Sequence, residues 1–167
     1  MIKVELDRHI QRIGVVADTH IPTRGKKLPA ALFRLLSGVD LILHAGDLVD
    51  ISVLDDLAAL APVEAVAGNM DPLTLTVKLG RQKLLRIGTL SIGLVHGDGI
   101  KGVGETFAAF SPDLVVFGHS HIPFYETRGK TTLFNPGSAV DPRGGCRASC
   151  GLLRLSADEI RGNLLLI

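Results

Sequence analysis

Leu41-Ile42-Leu43-His44-Ala45-Gly46-Asp47-Leu48 decides how the chain is read. A short apolar run stops at a glycine, and a single carboxylate follows it. Runs of this length bounded by turn residues fit strands buried on both faces. Alone, Gly46-Asp47 is ordinary turn chemistry. Four other apolar runs end in the same manner, at Asp18-Thr19-His20, Gly68-Asn69, His96-Gly97 and Gly118-His119-Ser120-His121. If those ends converge, Asp47 stands in the middle of a metal cluster.

Working outward from that stretch, residues 12–17 read as a buried strand. Residues 28–37 carry Leu28, Ala31, Leu32, Leu35 and Leu36 at helical spacing and stop at Gly38. Residues 51–60 read as a second helix, which Pro62 closes before a third strand over 63–67. Strand–helix–strand–helix–strand with short connections predicts a parallel, right-handed α/β unit. Beyond it the pattern changes. Hairpins are expected at 83–95, 124–134 and 148–167, a helix over 103–110 and a strand over 114–117. Residues 1–11 read as a short N-terminal extension whose weak alternation allows an edge strand. The expectation is one α/β domain over 1–167, with two sheets packed face to face and helices outside.

Composition narrows the function. At 46% hydrophobic and 21% charged, the 167 residues describe an ordinary globular chain that can bury a full core. A net charge of +1 gives no strong nucleic-acid signal, and six Phe, one Tyr and no Trp offer no platform for stacked bases. No apolar stretch approaches the ~20 residues of a membrane span. Charges fall where a signal peptide needs apolar residues, so the expected location is the cytoplasm. Cys146 and Cys150 lack the further soft ligands of a zinc site and receive no function.

The five run ends bring two carboxylates, one amide and four imidazoles. In open α/β sheets the ligand site lies beyond the carboxyl ends of the strands, which would place these ends in one crevice. Residues two apart in an extended segment face the same side, so Asp18 with His20, and His119 with His121, should each reach one centre. Mixed oxygen and nitrogen donors suit Mn²⁺, Fe or Zn²⁺ better than Mg²⁺. Seven donors are too many for one ion and fit two that share a carboxylate.

In this order and spacing, Asp18-x-His20, Gly46-Asp47, Gly68-Asn69, His96-Gly97 and Gly118-His119-x-His121 resemble the calcineurin-like metallophosphoesterases. The small size and the later Asn135-Pro136-Gly137-Ser138 are similar to the compact bacterial and archaeal phosphodiesterases of that superfamily. The resemblance implies a four-layer αββα sandwich of two packed mixed sheets with flanking helices. It also implies two divalent ions per chain, Mn²⁺ first, with Fe, Zn²⁺ or Ni²⁺ as alternatives. Asp18, His20, Asp47 and His121 would bind one ion. Asp47, Asn69, His96 and His119 would bind the other, with Asp47 bridging. A metal-bridging hydroxide would attack a small phosphate ester in line, and Asn69 would also steady a phosphate oxygen. His44 is left a structural role. Arg24 and Arg143 are candidate anion contacts, and a homo-oligomer is compatible with the pattern.

The chain departs from the family pattern twice. Met70 stands where many larger members have a histidine thought to protonate the leaving group, and methionine moves no proton. No catalytic side chain is therefore assigned. Asp98 stands where subgroup members often have a second histidine after His96-Gly97. Two other readings compete. A catalytically weak protein-interaction module is one, since the superfamily includes a retromer subunit that uses this fold to bind partners. The other is a nucleotide-binding oxidoreductase, because residues 97–102 match a dinucleotide fingerprint; the acidic ribose ligand it needs about 20 residues on is missing.

Overall fold

A computed structural model describes residues 1–99, 102–103 and 105–167. The apolar runs form two mixed sheets. The five-stranded sheet has β2 (Arg12–Val16), β3 (Leu41–His44) and β4 (Val63–Ala65) in parallel. It is extended antiparallel from β2 by β10 (Ser149–Leu155) and β11 (Ile160–Leu166). The predicted unit of alternating strands and helices is present, with α1 (Ala30–Leu35) and α2 (Ser52–Ala58) as its connections. The six-stranded sheet contains β1 (Ile2–Leu6), β5 (Gln82–Ile87), β6 (Leu90–Val95), β7 (Leu114–Val116), β8 (Phe124–Arg128) and β9 (Thr131–Asn135). Its order is β1-β5-β6-β7-β9-β8.

Strand alternation assigns each side chain to a layer. Ile13, Val15, Leu41 and Leu43 point toward the other sheet and pack with Leu85, Ile92, Leu94, Val116 and Phe134. Val16 and Ile42 point the other way and pack under Leu32, Leu36, Val53 and Leu57 of the helical layer. Gly14 sits on that outer face. A β-carbon there would lie 3.1 Å from both Leu36 methyls, so the glycine lets α1 settle onto the strand. Both faces of β2 and β3 are buried, which is why their sequences read as unbroken apolar runs.

The edge strand that the alternation of residues 1–11 allowed is present: β1 pairs in parallel with β5 and forms an edge of the larger sheet. Two other elements differ from expectation. Residues 73–79, unassigned from the sequence, form α3 (Leu73–Leu79) after Pro72 and before Gly80, whose φ is +70°. Leu75 and Leu79, four apart, are its buried contacts, while Leu73 and Val77 stay exposed. The fourth layer is thin. Of the helix expected over 103–110, the described residues show a single 3₁₀ turn, Glu105–Phe107, whose Phe107 packs on Leu84, Val95 and Val115. The glycine-rich match over 97–102 includes Ile100 and Lys101, which lie outside the described residues. Among the described residues no helix is long and apolar enough to cross a membrane.

Candidate metal centre

The candidate ligands follow strands that end at one rim of the sandwich. Asp18 and His20 come just after β2, Asp47 after β3, Asn69 after β4, His96 directly after β6, and His119 and His121 after β7. Backbone bonds hold the tips together: Asp18 N–H donates to Gly46 O at 3.0 Å, His20 N–H to Asp47 O at 3.0 Å and Gly118 N–H to His96 O at 2.9 Å. The Asn135–Ser138 loop ties the two sheets, since Asn135 Nδ2 donates to Gly118 O at 2.8 Å and Ser138 Oγ to Asp18 O at 2.7 Å.

Five side chains close a buried ring. Starting at Asp18 Oδ1, the distances are 3.6 Å to His121 Nε2, then 3.2 Å to His20 Nε2 and 3.5 Å to Asp47 Oδ2. From Asp47 Oδ2 it is 3.2 Å to His96 Nε2, which lies 4.0 Å from Asp18 Oδ1. Two three-residue sets with converging donor atoms fall inside this ring, Asp18–His20–His121 and Asp18–Asp47–His96. They share Asp18. Asp47 Oδ2, for its part, lies between His20 and His96, one from each predicted ligand set.

Asn69 and His119 are not in the ring. Both are exposed, and the His119 ring meets His96 edge-on with centroids 5.3 Å apart. The structure also corrects the reason given for convergence. Asp18, His20, Asp47, His119 and His121 have φ of +53°, +47°, +58°, +70° and +59°. Their side chains are aimed by left-handed backbone, not by the alternation of an extended segment. Such conformations cost non-glycine residues energy and collect at functional sites.

The ring fits a cation. Asp18 Oδ2 and His96 Nε2 are buried with no hydrogen-bond partner, and the 3.2 Å approach to Asp47 lacks hydrogen-bond geometry. Unpaired buried polar atoms are costly, and a divalent ion ligated by oxygen and nitrogen would satisfy them.

The sequence model for the calcineurin-like phosphoesterase superfamily domain matches residues 12–158. The chain belongs to that superfamily. A probable metallophosphoesterase from Methanocaldococcus jannaschii is 41% identical over 137 residues, covering 78% of this chain and 69% of the relative. The phosphodiesterase YfcE of Escherichia coli K12 is 51% identical over 60 residues, 36% of this chain and 32% of that protein. In fold the chain is similar to Vps29 from Chaetomium thermophilum, with a TM-score of 0.80, 20% identity, and coverage of 93% and 97% of the two chains.

In this calcineurin-like site, burial and charge oppose each other. Burial pushes the Asp18 carboxyl up to about 7, outweighing the pull of the nearby His96. Burial also pushes Asp47 up, but the His96 ring at 3.2 Å and the Met70 N–H at 2.8 Å together bring it below the usual carboxylate range. Burial depresses His20 and His121. It works against His96 too, yet the Asp47 and Asp18 carboxylates hold that ring above its ordinary value.

Sequence reasoning missed the residues that hold this rim in shape. Asp71 accepts the N–H of Asp47 at 2.9 Å, of Val49 at 2.6 Å and of Gly68 at 2.7 Å. It fastens the Gly46-Asp47 loop to the Gly68-Asn69 loop, although nothing in its spacing distinguishes it from a turn aspartate. Ala45 O lies 2.8 Å from His96 Nδ1, and Asp141 O pairs with His121 Nδ1, so both rings present Nε2 to the ring interior. His44 keeps the structural part expected of it: Nδ1 accepts the Gly46 N–H, and Nε2 meets Thr19 Oγ1 at 3.1 Å. Full burial pushes it down to about 3, so it stays neutral. Asp98 turns to Arg81 at 2.9 Å. Arg24 and Arg143 both approach Asp141 at 3.8 Å and line a cavity with His20, Thr23, Val49 and Met70.

Proposed function

We propose that the chain is a dinuclear, divalent-metal-dependent phosphodiesterase acting on a small phosphate ester in the cytoplasm. The observation that carries this reading is the pair of overlapping three-residue sets, with two buried donor atoms that no protein group satisfies. In it, Asp18, His20, Asp47 and His121 hold one ion, and Asp47, Asn69, His96 and His119 hold the other. Mn²⁺ is the first choice for this donor set, with Fe, Zn²⁺ or Ni²⁺ as alternatives. A bound pair of such ions supplies an activated water and neutralises phosphate charge.

The chain's own groups do the rest. Asp47 Oδ1 accepts the Met70 N–H at 2.8 Å, which leaves Oδ2 facing His20 and His96 and sets its angle at the shared position. The exposed Asn69 amide donates to a phosphate oxygen, and Arg24 and Arg143 meet the remaining negative charge. Adding Mn²⁺ to chelator-stripped protein should restore hydrolysis of bis(4-nitrophenyl) phosphate, and Asp47→Asn should abolish both turnover and binding of both ions by elemental analysis. Exposed Met70, Leu73 and Val77 favour the competing interaction module. Absence of metal-dependent turnover across mono- and diesters would support that module instead.

A further inference from the structure

The cavity beside the buried ring can bind an anion, but among the described residues its lining offers nothing to protonate a leaving oxygen. It measures about 350 Å³, within the range of small-molecule sites, and is lined by His20, Thr23, Arg24, Val49, Met70 and Arg143. Met70 and Val49 have no proton to transfer. The Thr23 hydroxyl donates to His20 O at 2.9 Å. Guanidinium groups donate hydrogen bonds but keep their protons in proteins. His20 Nε2 is turned into the ring, toward His121 at 3.2 Å and Asp47 at 3.5 Å.

The wall is also built, not incidental. Val49 has φ of +77°, an outlier for a β-branched residue, and is held there by Asp71 at 2.6 Å. Arg24 and Arg143 are 60% and 51% exposed, and each stands 3.8 Å from Asp141, beyond hydrogen-bond distance. Neither is consumed by that contact, and both can turn to an anionic ligand.

We propose that the natural substrates are small phosphate esters linked through a phosphoanhydride, so that the expelled group is itself a phosphate; this rests on the phosphoesterase reading above. Water oxygen bonds to phosphorus as the bridging P–O bond breaks, and the electron pair leaves on the bridging oxygen. One water proton stays on the new P–OH and the other goes to solvent. A phosphate carries the departing pair without being protonated, because its second pKa is near 6. An alkoxide needs an acid to protonate it, and among the described residues none lines this cavity. Arg24 and Arg143 match the oxygens of the leaving phosphate in fork geometry, and Val49 and Met70 cover its organic portion.

The test compares kcat/KM of the Mn²⁺-loaded full chain on P1,P2-dimethyl pyrophosphate, methyl 4-nitrophenyl phosphate and methyl phenyl phosphate. The pyrophosphate and the nitrophenyl ester should turn over, with the phenyl ester at least about 100-fold slower than the nitrophenyl ester, the scale of a missing general acid. Met70→His should narrow that gap about tenfold or more. Dimethyl methylenediphosphonate, which has no cleavable bridging oxygen, should bind the metal-free chain by calorimetry and bind about tenfold more weakly to the Arg24→Gln/Arg143→Gln double variant. Phenyl and nitrophenyl rates within about threefold, a pyrophosphate slower than the phenyl ester, or diphosphonate binding absent or unaffected by the two substitutions would overturn the proposal. Failure to cleave even the nitrophenyl ester in a metal-dependent way would remove the phosphoesterase reading, and this inference with it.

Discussion

The candidate centre has two parts with opposite physical characters. Asp18, His20, Asp47, His96 and His121 are buried and fixed by backbone bonds before any ion arrives. Asn69 and His119 are exposed and remain outside the ring. The buried part is preorganised, so as ligands its side chains would lose little freedom, but its charges and orphaned atoms burden the metal-free fold. The exposed part costs the fold little and, as a ligand pair, would have to be ordered by the ion. The two predicted ion positions should therefore differ in affinity, with the Asp18–His20–His121 side the tighter.

The largest effect on this asymmetry should come from Asp71, which holds the loop of the shared Asp47 against the loop of Asn69. Asp71→Ala strands three N–H groups around a nearly buried pocket, each costing about 1–3 kcal/mol if water cannot reach it. We expect a loss of about 3 kcal/mol or more in urea unfolding, and metal affinity about 10–100-fold lower by competition with a chelator. Rescue of affinity by Asp71→Asn to wild-type values would break the argument, since an amide cannot accept all three bonds equally.

A smaller effect should follow pH. The Asp18 carboxyl, near 7 in the fold against an ordinary 3.8, keeps a proton that the unfolded chain has already released across that interval. In the metal-free protein Asp18 therefore lowers stability as pH rises from 3.8 toward 7. His44 acts oppositely: held near 3 against 6.5, it lowers stability as pH falls through that range. An ion must displace the Asp18 proton and the proton on His96, whose ring the carboxylates hold above its ordinary value, so affinity should fall by about tenfold or more per pH unit below 7. The thermal shift produced by Mn²⁺, measured from pH 5.5 to 8, reads this directly. A flat profile would mean that Asp18 is not a ligand.

These two parts also mark what the sequence could reveal. The strand tips were legible because each buried run in a two-faced sheet is continuously apolar and its polar end is abrupt, as at Leu43-His44-Ala45-Gly46-Asp47. The residue types were legible as candidate ligands because five such ends coincide. The left-handed backbone at Asp18, His20 and Asp47 was not, since Asp and His tolerate positive φ better than most residues but the residue type alone does not say which position adopts it. Helix α3 was hidden because Leu73, Leu75, Val77 and Leu79 recur every second residue, and only Pro72 and Gly80 reveal a helix. Asp71 and the carbonyls of Ala45 and Asp141 were invisible because their work is to accept hydrogen bonds across tertiary contacts.

The smallest effect on the fold should come from the exposed pair, and it sharpens the comparison most. Asn69→Ala removes no side-chain bond among the described residues and His119→Ala removes only the edge-on contact with the His96 ring, so the metal-free protein should lose no more than about 1 kcal/mol. Their effect should appear in the ions alone. The weaker of two binding phases in a calorimetric Mn²⁺ titration should weaken by about 10–100-fold or vanish, while the tighter phase stays. If both phases weaken together, the two positions are one cooperative unit, and the division between buried ring and exposed rim describes accessibility without describing affinity. If only the tighter phase changes, the ligand sets carried over from the family are assigned the wrong way round. Either outcome would redirect attention to Asp18, the residue that both compact three-residue sets share in the metal-free geometry.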